Sequence, residues 1–263
     1  FLYDDFYLAD KEGTLPPYRR FVNATGLDNP YLSEAYIENL RRTLTTSEVN
    51  RLLLGNWESQ DDPDNLVSSD DILEMYDHSI EVNEDYTRYI SADIAFKQDG
   101  CVLFVWEGNT VIDIVKVGRD EIVLDRIKEV AREYEIQTRH ITYDSDGVGQ
   151  YIKQYLRTAK AIINNGKVLK NENYVNLKTQ LYYKLGELIR DGKIKIKTNK
   201  FKKELEGELL CIKRKVRGTT ESKQEINSKA DQKKLIGHSP DYADAMAYKM
   251  IFEYTKGNFT RTF

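Results

Sequence analysis

Residues 87–118 read TRYISADIAFKQDGCVLFVWEGNTVIDIVKVG, and this stretch decides the fold class. Three runs rich in β-branched and aromatic residues, at 87–96, 100–108 and 110–118, are joined by short turns at KQDG and GNT. Such spacing is typical of antiparallel strands connected by hairpins. The sequence therefore predicts a three-strand meander that opens a domain near residue 86.

The segments that follow alternate between helical and strand patterns. Residues 119–135 have helical periodicity, HITYDSD at 140–146 reads as a short strand ending in acids, and residues 147–158 begin another helix. AKAIINN at 159–165 reads as a further strand, and a long amphipathic segment runs from Tyr174 to Ile189. Strands that alternate with helices favour parallel pairing. The predicted fold class is α/β, with a mixed sheet of antiparallel meander and parallel strands flanked by helices.

The first 85 residues have a different character. They predict a helix after Pro30 and a second helix that Gly55 ends, and then a loop at 59–71 rich in acids and serine. Residues 1–85 hold 6 Lys/Arg and 19 Asp/Glu, whereas residues 193–234 hold 14 and 6. We therefore expect a boundary between residues 60 and 85. The basic block is either a surface for a polyanion or an ordinary solvated face.

Cysteine and histidine usage narrows the class of protein. Cys101 and Cys211 lie far apart in apolar surroundings, which is typical of reduced core residues. With only three histidines, a zinc enzyme is improbable. The chain shows no export signal and no apolar run long enough to cross a bilayer, so we expect a soluble piece of a longer protein without a membrane role.

Aspartates interrupt three segments that otherwise look buried. Asp93 stands among apolar residues of the first strand, and Asp144 ends another strand just before two glycines. Asp241 and Asp244 lie one turn apart in the last helix, where Ser239 is the expected N-cap and Pro240 the expected first helical residue. Asp241 also fits a favourable interaction with the helix dipole, and Asp93 also fits a structural ion pair.

Carboxylates from two strands and a helix can converge only if positive charge holds them together. Oxygen ligands select Mg²⁺ or Mn²⁺, and two such ions about 4 Å apart support phosphodiester hydrolysis. Two other signatures resemble DSDGVG at 144–149. An EF-hand loop would need a glutamate where Tyr155 stands, so that interpretation fails. A phosphatase of the haloacid dehalogenase superfamily remains an alternative, as does a DNA-binding module without catalysis.

Three motifs together resemble the C-terminal part of the large terminase subunit, the DNA-packaging motor of tailed bacteriophages. They are YISADIAF at 89–96, ITYDSDGVGQYI at 141–152 and HSPDYADAMAYK at 238–249, in the order of that family. DNPYLSEAYIENL at 28–40 and RLLLGNWES at 51–59 are similar to the end of its ATPase domain. The resemblance implies an ATPase remnant at 1–60, a linker at 61–85 and a ribonuclease H-like nuclease domain at 86–263.

The resemblance also implies the site and the partners. Asp93, Asp144 and Asp244 would bind two Mg²⁺ or Mn²⁺ ions, with Asp241 as an auxiliary acid, and the enzyme would cut concatemeric double-stranded DNA with little sequence preference. Asp99 matches an acid of some family members, although an aspartate there also fits a turn. Asp146 and His238 are further candidates beside the ligands, but a helix cap and a turn residue explain them equally well.

The family's motor also needs a nucleotide site, which this sequence lacks, because no phosphate-loop motif is present. We expect no ATPase activity from these residues. The resemblance implies contacts with the portal and the small terminase subunit in the full motor, and action in the host cytoplasm during viral assembly.

Residues 211–229 predict a β-hairpin that binds DNA. Around CIKRKVR the side chains of Lys213, Lys215 and Arg217 alternate with Ile212, Arg214 and Val216, and GTTES follows as a turn. One face would be cationic and could contact phosphates without reading bases. Lysines that merely keep a strand edge from pairing are the alternative explanation. The predicted DNA-binding residues are Lys213, Arg214, Lys215 and Arg217.

Overall fold

A computed structural model describes residues 3–43, 53, 55, 64–77, 86–94, 101–118, 120–146, 149–215 and 222–255. The chain divides into two compact units. The first comprises Phe1–Pro63 with Ser68–Asp70, and the second comprises Asp64–Val67 with Asp71–Phe263.

The first unit contains short helices. A π-helical segment Tyr3–Leu8 runs into α1 (Ala9–Lys11), a 3-10 turn spans Gly26–Asp28, and α2 spans Glu34–Thr43. The helix predicted after Pro30 is therefore present. Most of the second predicted helix lies outside the described residues.

The second unit is built on a six-stranded sheet with the order β5-β4-β1-β2-β3-β6. Its strands are β1 (Arg88–Asp93), β2 (Val102–Glu107), β3 (Thr110–Lys116), β4 (Ile141–Asp144), β5 (Lys160–Ile162) and β6 (Lys195–Ile196). Strands β1, β2 and β3 pair antiparallel, whereas β4, β5 and β6 join their neighbours in parallel. The predicted meander and the mixed α/β sheet are confirmed.

Eight further helices accompany the strands in the described residues. They are α3 (Ser69–Glu74), α4 (Val123–Glu133), α5 (Gly149–Ile152), α6 (Leu177–Arg190), α7 (Lys202–Cys211), α8 (Lys229–Ile236), α9 (Asp241–Tyr248) and α10 (Ile251–Thr255). Short 3-10 turns lie at Thr138–His140 and Leu169–Asn171. A small hairpin pairs β7 (Arg214–Lys215) with β8 (Glu225–Ile226). None of the helices among the described residues is long and apolar enough to cross a membrane.

Two predicted elements differ from the structure. The helix predicted over 147–158 extends only from Gly149 to Ile152, because turn bonds such as that from the Tyr155 N–H to the Ile152 carbonyl then replace the helical pattern. The hairpin predicted from Cys211 begins later, because Cys211 ends α7. Leu205 and Leu209, four residues apart and buried, stabilise that helix from one face.

Each face of the sheet has its own hydrophobic cluster. On one face Ile90, Leu103 and Val105 pack with residues of α4. On the other face Phe104 and Trp106 pack with residues of α6, α7 and α9. Because successive strand residues point to opposite faces, the odd-numbered residues of β1, namely Tyr89, Ser91 and Asp93, point towards α9. Both cysteines are buried and free, as expected.

The second cluster also bears on where the domains begin. Leu66, Val67, Ile72 and Met75 lie in the segment predicted as a linker, and all four are buried in this cluster. The boundaries at residues 60 and 85 remain a prediction. A truncation should therefore be made before residue 64, since a later one removes core side chains.

Candidate metal and nucleic-acid site

Two of the predicted acids end neighbouring strands. Asp93 is the last residue of β1 and Asp144 is the last residue of β4. These strands pair in parallel with Ala92 opposite Tyr143, so the next step of the same register puts Asp93 opposite Asp144. The two carboxylates therefore lie on one face of the sheet, at the carboxyl ends of these parallel strands, which is where open α/β sheets bind ligands.

The other two acids lie on α9, which packs against β1, β2 and β4. Its alanines Ala243, Ala245 and Ala247 are fully buried, and such small side chains allow close approach to the sheet. Asp244 is 1% exposed. The predicted N-cap is wrong, because Pro240 rather than Ser239 occupies that position and no N-cap side chain bonds the first turn.

A partly buried lysine, Lys178, contacts Asp244. The Lys178 Nζ on α6 lies 2.6 Å from one carboxylate oxygen of Asp244 and 2.7 Å from the other. One turn further along α6, the Tyr182 hydroxyl donates a 2.6 Å hydrogen bond to the same carboxylate. Burial lowers the pKa of Lys178, but the attraction of Asp244, Asp93 and Asp144 outweighs it and raises the pKa overall. Lys178 therefore supplies a fixed positive charge among the acids.

A second set of polar groups orients Asp144. Its Oδ2 accepts a 3.2 Å hydrogen bond from the Asn164 amide, and its Oδ1 accepts one of 2.8 Å from the Asp146 backbone N–H. The Tyr248 hydroxyl donates to the Asn164 side-chain oxygen at 3.0 Å. Asp146 accepts a 3.0 Å bond from the Asn164 backbone N–H, which ties β4 to the loop after β5.

These groups border a polar cleft of about 640 Å³. The acids that line it are Asp93, Asp144, Asp146, Asp241 and Glu225, and the cations that line it are Lys178 and Lys229. Amide and hydroxyl side chains form much of the rest, namely Asn164, Asn165, Asn176, Asn227, Gln232, Ser228 and Ser239. Asp244 is absent from the described lining, but its partner Lys178 belongs to it. Asp241, predicted as auxiliary, lines the cleft directly.

The acids influence one another strongly. Burial raises the pKa of Asp93 well above its ordinary value, and the negative charges of Asp244, Asp241 and Asp144 raise it further, whereas Lys178 lowers it. Burial also raises the pKa of Asp144, although the hydrogen bonds from Asp146 and Asn164 oppose the shift. Such mutual repulsion means that added positive charge in the cleft would stabilise the ionised carboxylates.

The residues fit a divalent cation in chemistry and charge. All the acidic donors are carboxylates, which suit Mg²⁺ or Mn²⁺, and one lysine faces several of them. Among the described residues, however, no three His, Cys, Asp or Glu side chains are already arranged to hold a metal ion. The Lys178–Asp244 ion pair accounts for part of this, because the ammonium group contacts the carboxylate oxygens that would bind a metal ion.

Three predicted site residues are still to be placed. Asp99 and Arg217 fall outside the described residues, whereas His238 is described. His238 Nδ1 lies 2.7 Å from the Ser239 carbonyl oxygen and 3.6 Å from Glu208 Oε1. The site role of these residues stays a prediction.

A hairpin of strands β7 and β8 is present, shorter than predicted, with Lys215 paired to Glu225 at 3.6 Å and Arg214 opposite Ile226. The Lys213 backbone N–H bonds Asn227. Its second strand and the segment after it, residues 225–229, line the cleft, whereas Lys213, Arg214 and Lys215 are not among the described lining residues. Their role in DNA binding also stays a prediction.

Sequence reasoning missed the side chains that hold the acids. Lys178, Tyr182 and Asn164 lie far from every acidic motif in the sequence, and a lysine on an amphipathic helix looks like surface. The only available signal was the Asn164–Asn165 pair, which follows the next predicted strand just as Asp144 ends the strand before it. Glu208 was missed in the same way, within a run of charged residues.

No family model matches the chain, and no curated protein matches it. Solved structures do. The nuclease domain of the large terminase subunit of bacterial virus Sf6 matches with a TM-score of 0.61 at 18% identity, over 71% of this chain and 98% of that one. A point mutant of this domain with calcium gives 0.60 at 17% identity, and one with manganese gives 0.58 at 17%, with the same coverage. The resemblance drawn from the three motifs is thereby confirmed at the level of the fold: the mixed α/β sheet flanked by helices is similar to that of these terminase nuclease domains.

Proposed function

We propose that this chain is a metal-dependent endonuclease of a viral DNA-packaging terminase, cutting concatemeric double-stranded DNA with little sequence preference. One observation supports this proposal above the others. Asp93, Asp144 and Asp241 from two strand ends and one helix line a single cleft, and Asp244 pairs with Lys178, which also lines it. A protein that only binds DNA gains nothing from such an acidic cluster, which repels phosphate unless cations intervene.

Asp93, Asp144 and Asp244 would hold the cations, with Asp241 beside them. Divalent ions bound there would supply activation of water and stabilisation of the leaving oxygen of a phosphodiester. The number of ions, two, and their identity as Mg²⁺ or Mn²⁺ belong to the proposal. The relatives from Sf6 solved with calcium and with manganese are in accord with a divalent site.

The chain's own residues would prepare the site in three ways. Tyr182 and Lys178 fix the orientation of Asp244, and Asn164 fixes that of Asp144. The amide side chains along the cleft can bond phosphate oxygens without reading bases, which suits cutting without sequence preference. Lys178 balances part of the acidic charge before any cation binds. In the full motor, we propose, the chain would work with the portal and the small terminase subunit in the host cytoplasm.

A cleavage assay with two substrates tests the proposal. Supercoiled plasmid and a generic phosphomonoester are each incubated with the protein and Mn²⁺ or Mg²⁺, with a chelator as control. We expect nicked and linear plasmid with either ion, no product with chelator, and no hydrolysis of the phosphomonoester. Hydrolysis of the phosphomonoester alone would instead support the phosphatase alternative. Plasmid binding without cleavage under all conditions would support the binding module.

A further inference from the structure

A buried glutamate outside the cleft contacts the helix that bears two of the acids. Glu208 on α7 is 1% exposed and does not line the cleft. Its Oε2 accepts a 2.9 Å hydrogen bond from the Ala243 backbone N–H of α9. Its Oε1 is buried and has no hydrogen-bond partner among the described residues, and His238 Nδ1 lies 3.6 Å from it. A buried carboxylate of this kind requires an explanation.

The start of α9 supplies one. The first N–H groups of any helix lack partners within the helix, and a side chain at the N-cap usually accepts from the second or third helical residue. Here the N-cap is Pro240, whose side chain cannot accept a hydrogen bond, and no N-cap side chain bonds the turn. Ala243 is the third residue of α9, so Glu208 performs the capping role from a different helix.

This cap lies between the two acids of α9. Asp241 is two residues before Ala243, and Asp244 is the residue after it. A bond to this backbone group from a separate helix restricts both the rotation and the axial shift of α9 against α7. Functional groups must be held to within about 0.5 Å of their working geometry, so this restriction matters for the acids.

We propose that Glu208 is a positioning residue that caps α9 from α7 and thereby fixes Asp241, which lines the cleft, and Asp244, which pairs with Lys178 beside it. This inference deepens the proposed function and rests on it for the role of the two acids. The capping contact itself does not depend on that function.

The ionisation of Glu208 indicates a suitable replacement. Burial raises its pKa to about 8, hydrogen bonds from the backbone of Ala243 and Tyr242 oppose the shift, and the charges of Asp241 and Asp244 add to it. At neutral pH the side chain is therefore mostly uncharged. Glutamine has the same shape and keeps a carbonyl oxygen as acceptor, so Glu208→Gln should preserve the cap.

The experiment compares Glu208→Gln with Glu208→Leu and Glu208→Ala, which both lack an acceptor but differ in volume. Ile127→Ala is the matched control, because Ile127 is fully buried in the cluster on the opposite face of the sheet. Three quantities are measured in each folded variant: hydrogen exchange of the Ala243 amide by NMR, Mn²⁺ affinity by calorimetry, and the melting temperature.

We expect the Ala243 amide to exchange at least about tenfold faster in the Leu and Ala variants, with Mn²⁺ affinity about 10- to 100-fold weaker, the usual effect of losing a group that orients metal ligands. In Glu208→Gln the exchange rate of the Ala243 amide and the Mn²⁺ affinity should each stay within about threefold of the wild type. Ile127→Ala should lower the melting temperature through the cavity that it leaves, with the Ala243 exchange rate and the Mn²⁺ affinity unchanged.

Two results would overturn the inference. One is wild-type exchange at Ala243 in the Leu and Ala variants. The other is loss of metal affinity in the Gln variant equal to that in the Leu variant. If neither Glu208→Leu nor Glu208→Ala folds, Glu208→Gln and the control still test the inference. Glu208→Gln must then fold and protect the Ala243 amide from exchange as the wild type does. Absence of Mn²⁺ binding by the wild type would instead refute the proposed function, while the exchange data would still test the cap.

Discussion

Two lysines near the same helix, Lys249 fully buried and Lys178 partly buried, illustrate different uses of positive charge. Lys249, directly after α9, is 0% exposed, and its Nζ bonds Asn109 and pairs with Glu253 at 2.8 Å. The rings of Tyr89 and Trp106 lie within 5.6 Å and 5.5 Å of that nitrogen. Lys178 pairs with Asp244, but Asp93 and Asp144 also act on it.

The difference lies in the balance of charge around each lysine. Lys249 contacts Glu253, Asn109 and two aromatic rings among the described residues, an arrangement that suits a buried cation. Lys178 faces an excess of carboxylates and borders the cleft. We infer that Lys249 stabilises the fold, whereas Lys178 stabilises an acidic cluster that further cations can still enter. Each prediction below tests part of this contrast.

The largest effect is expected from the acidic side of the contrast. Asp144→Asn removes a proposed metal ligand worth several kcal/mol of transition-state stabilisation, so plasmid cleavage should fall at least about 100-fold. The metal-free melting temperature should stay equal or rise, because one of several repelling carboxylates is neutralised. Gel assays of cleavage and thermal unfolding in chelator measure the two quantities. Cleavage equal to that of the wild type would refute the metal-site assignment.

The lysines themselves should separate stability from metal binding. Lys249→Met removes the buried Lys249–Glu253 ion pair and should lower the free energy of unfolding by about 3–5 kcal/mol, with Mn²⁺ affinity unchanged. Lys178→Met should destabilise the metal-free protein as well, but Mn²⁺ should bind about tenfold more tightly, since no ammonium group competes for Asp244.

Thermal unfolding with and without Mn²⁺ distinguishes these outcomes, because the stabilisation by a bound ion grows with the logarithm of its affinity. The Mn²⁺-induced rise in melting temperature should be greater for Lys178→Met than for the wild type. An equal rise in both lysine variants would show that Lys178 and Lys249 play the same structural role.

A smaller effect concerns the pH dependence of stability. The folded-state pKa of Glu208, about 8, lies above its ordinary value of 4.5, so between these values the folded state binds a proton that the unfolded state has lost. Stability from this group is therefore present below about pH 4.5 and is lost as the pH rises towards 8.

Glu208→Gln lacks this titration, so its melting temperature should rise relative to that of the wild type between pH 5 and pH 8. The rise should be roughly 2–4 °C for each kcal/mol of unfolding free energy that the wild type loses. Melting curves of both proteins in chelator, at the same series of pH values, measure the gap. The acids of the cleft titrate in both proteins and largely cancel. A constant gap across this range would contradict the raised pKa.

The smallest effect is expected at the hairpin, where the described lysines are exposed or paired. Changing Lys213, Lys215 and Arg217 together to alanine should weaken binding to every DNA sequence alike. The salt dependence of binding should flatten by up to about three phosphate contacts. Titrations at several salt concentrations measure this, and Lys229→Ala, a change on the cleft wall, provides the comparison. An unchanged salt slope would assign the phosphate contacts to the cleft rather than to the hairpin.

Local patterns in the sequence were sufficient for most of the sheet. The meander follows from three β-rich runs with short turns, and Asp93 and Asp144 stand out because carboxylates rarely occur in buried strands. The helix of Asp241 and Asp244 was evident from its alanines. Helix α7 was missed, since the charged residues around Leu205 and Leu209 masked its periodicity. The extent of the helix after Asp144 was overestimated, because a helical pattern does not show where turns take over.

By itself the sequence determined which residues are acidic and that Asp144 ends a strand. Only the tertiary structure decided that Asp93 ends β1 on the same face as Asp144, that Lys178 pairs with Asp244, that Asp241 lines the cleft, and that Glu208 caps α9 in place of Ser239. The physical reason is distance along the chain. Periodicity and capping rules describe residues a few positions apart, whereas Lys178 and Asp244 are 66 residues apart and Glu208 and Ala243 are 35 apart. Contacts of that kind arise from the packing of α6, α7 and α9, which no local pattern encodes.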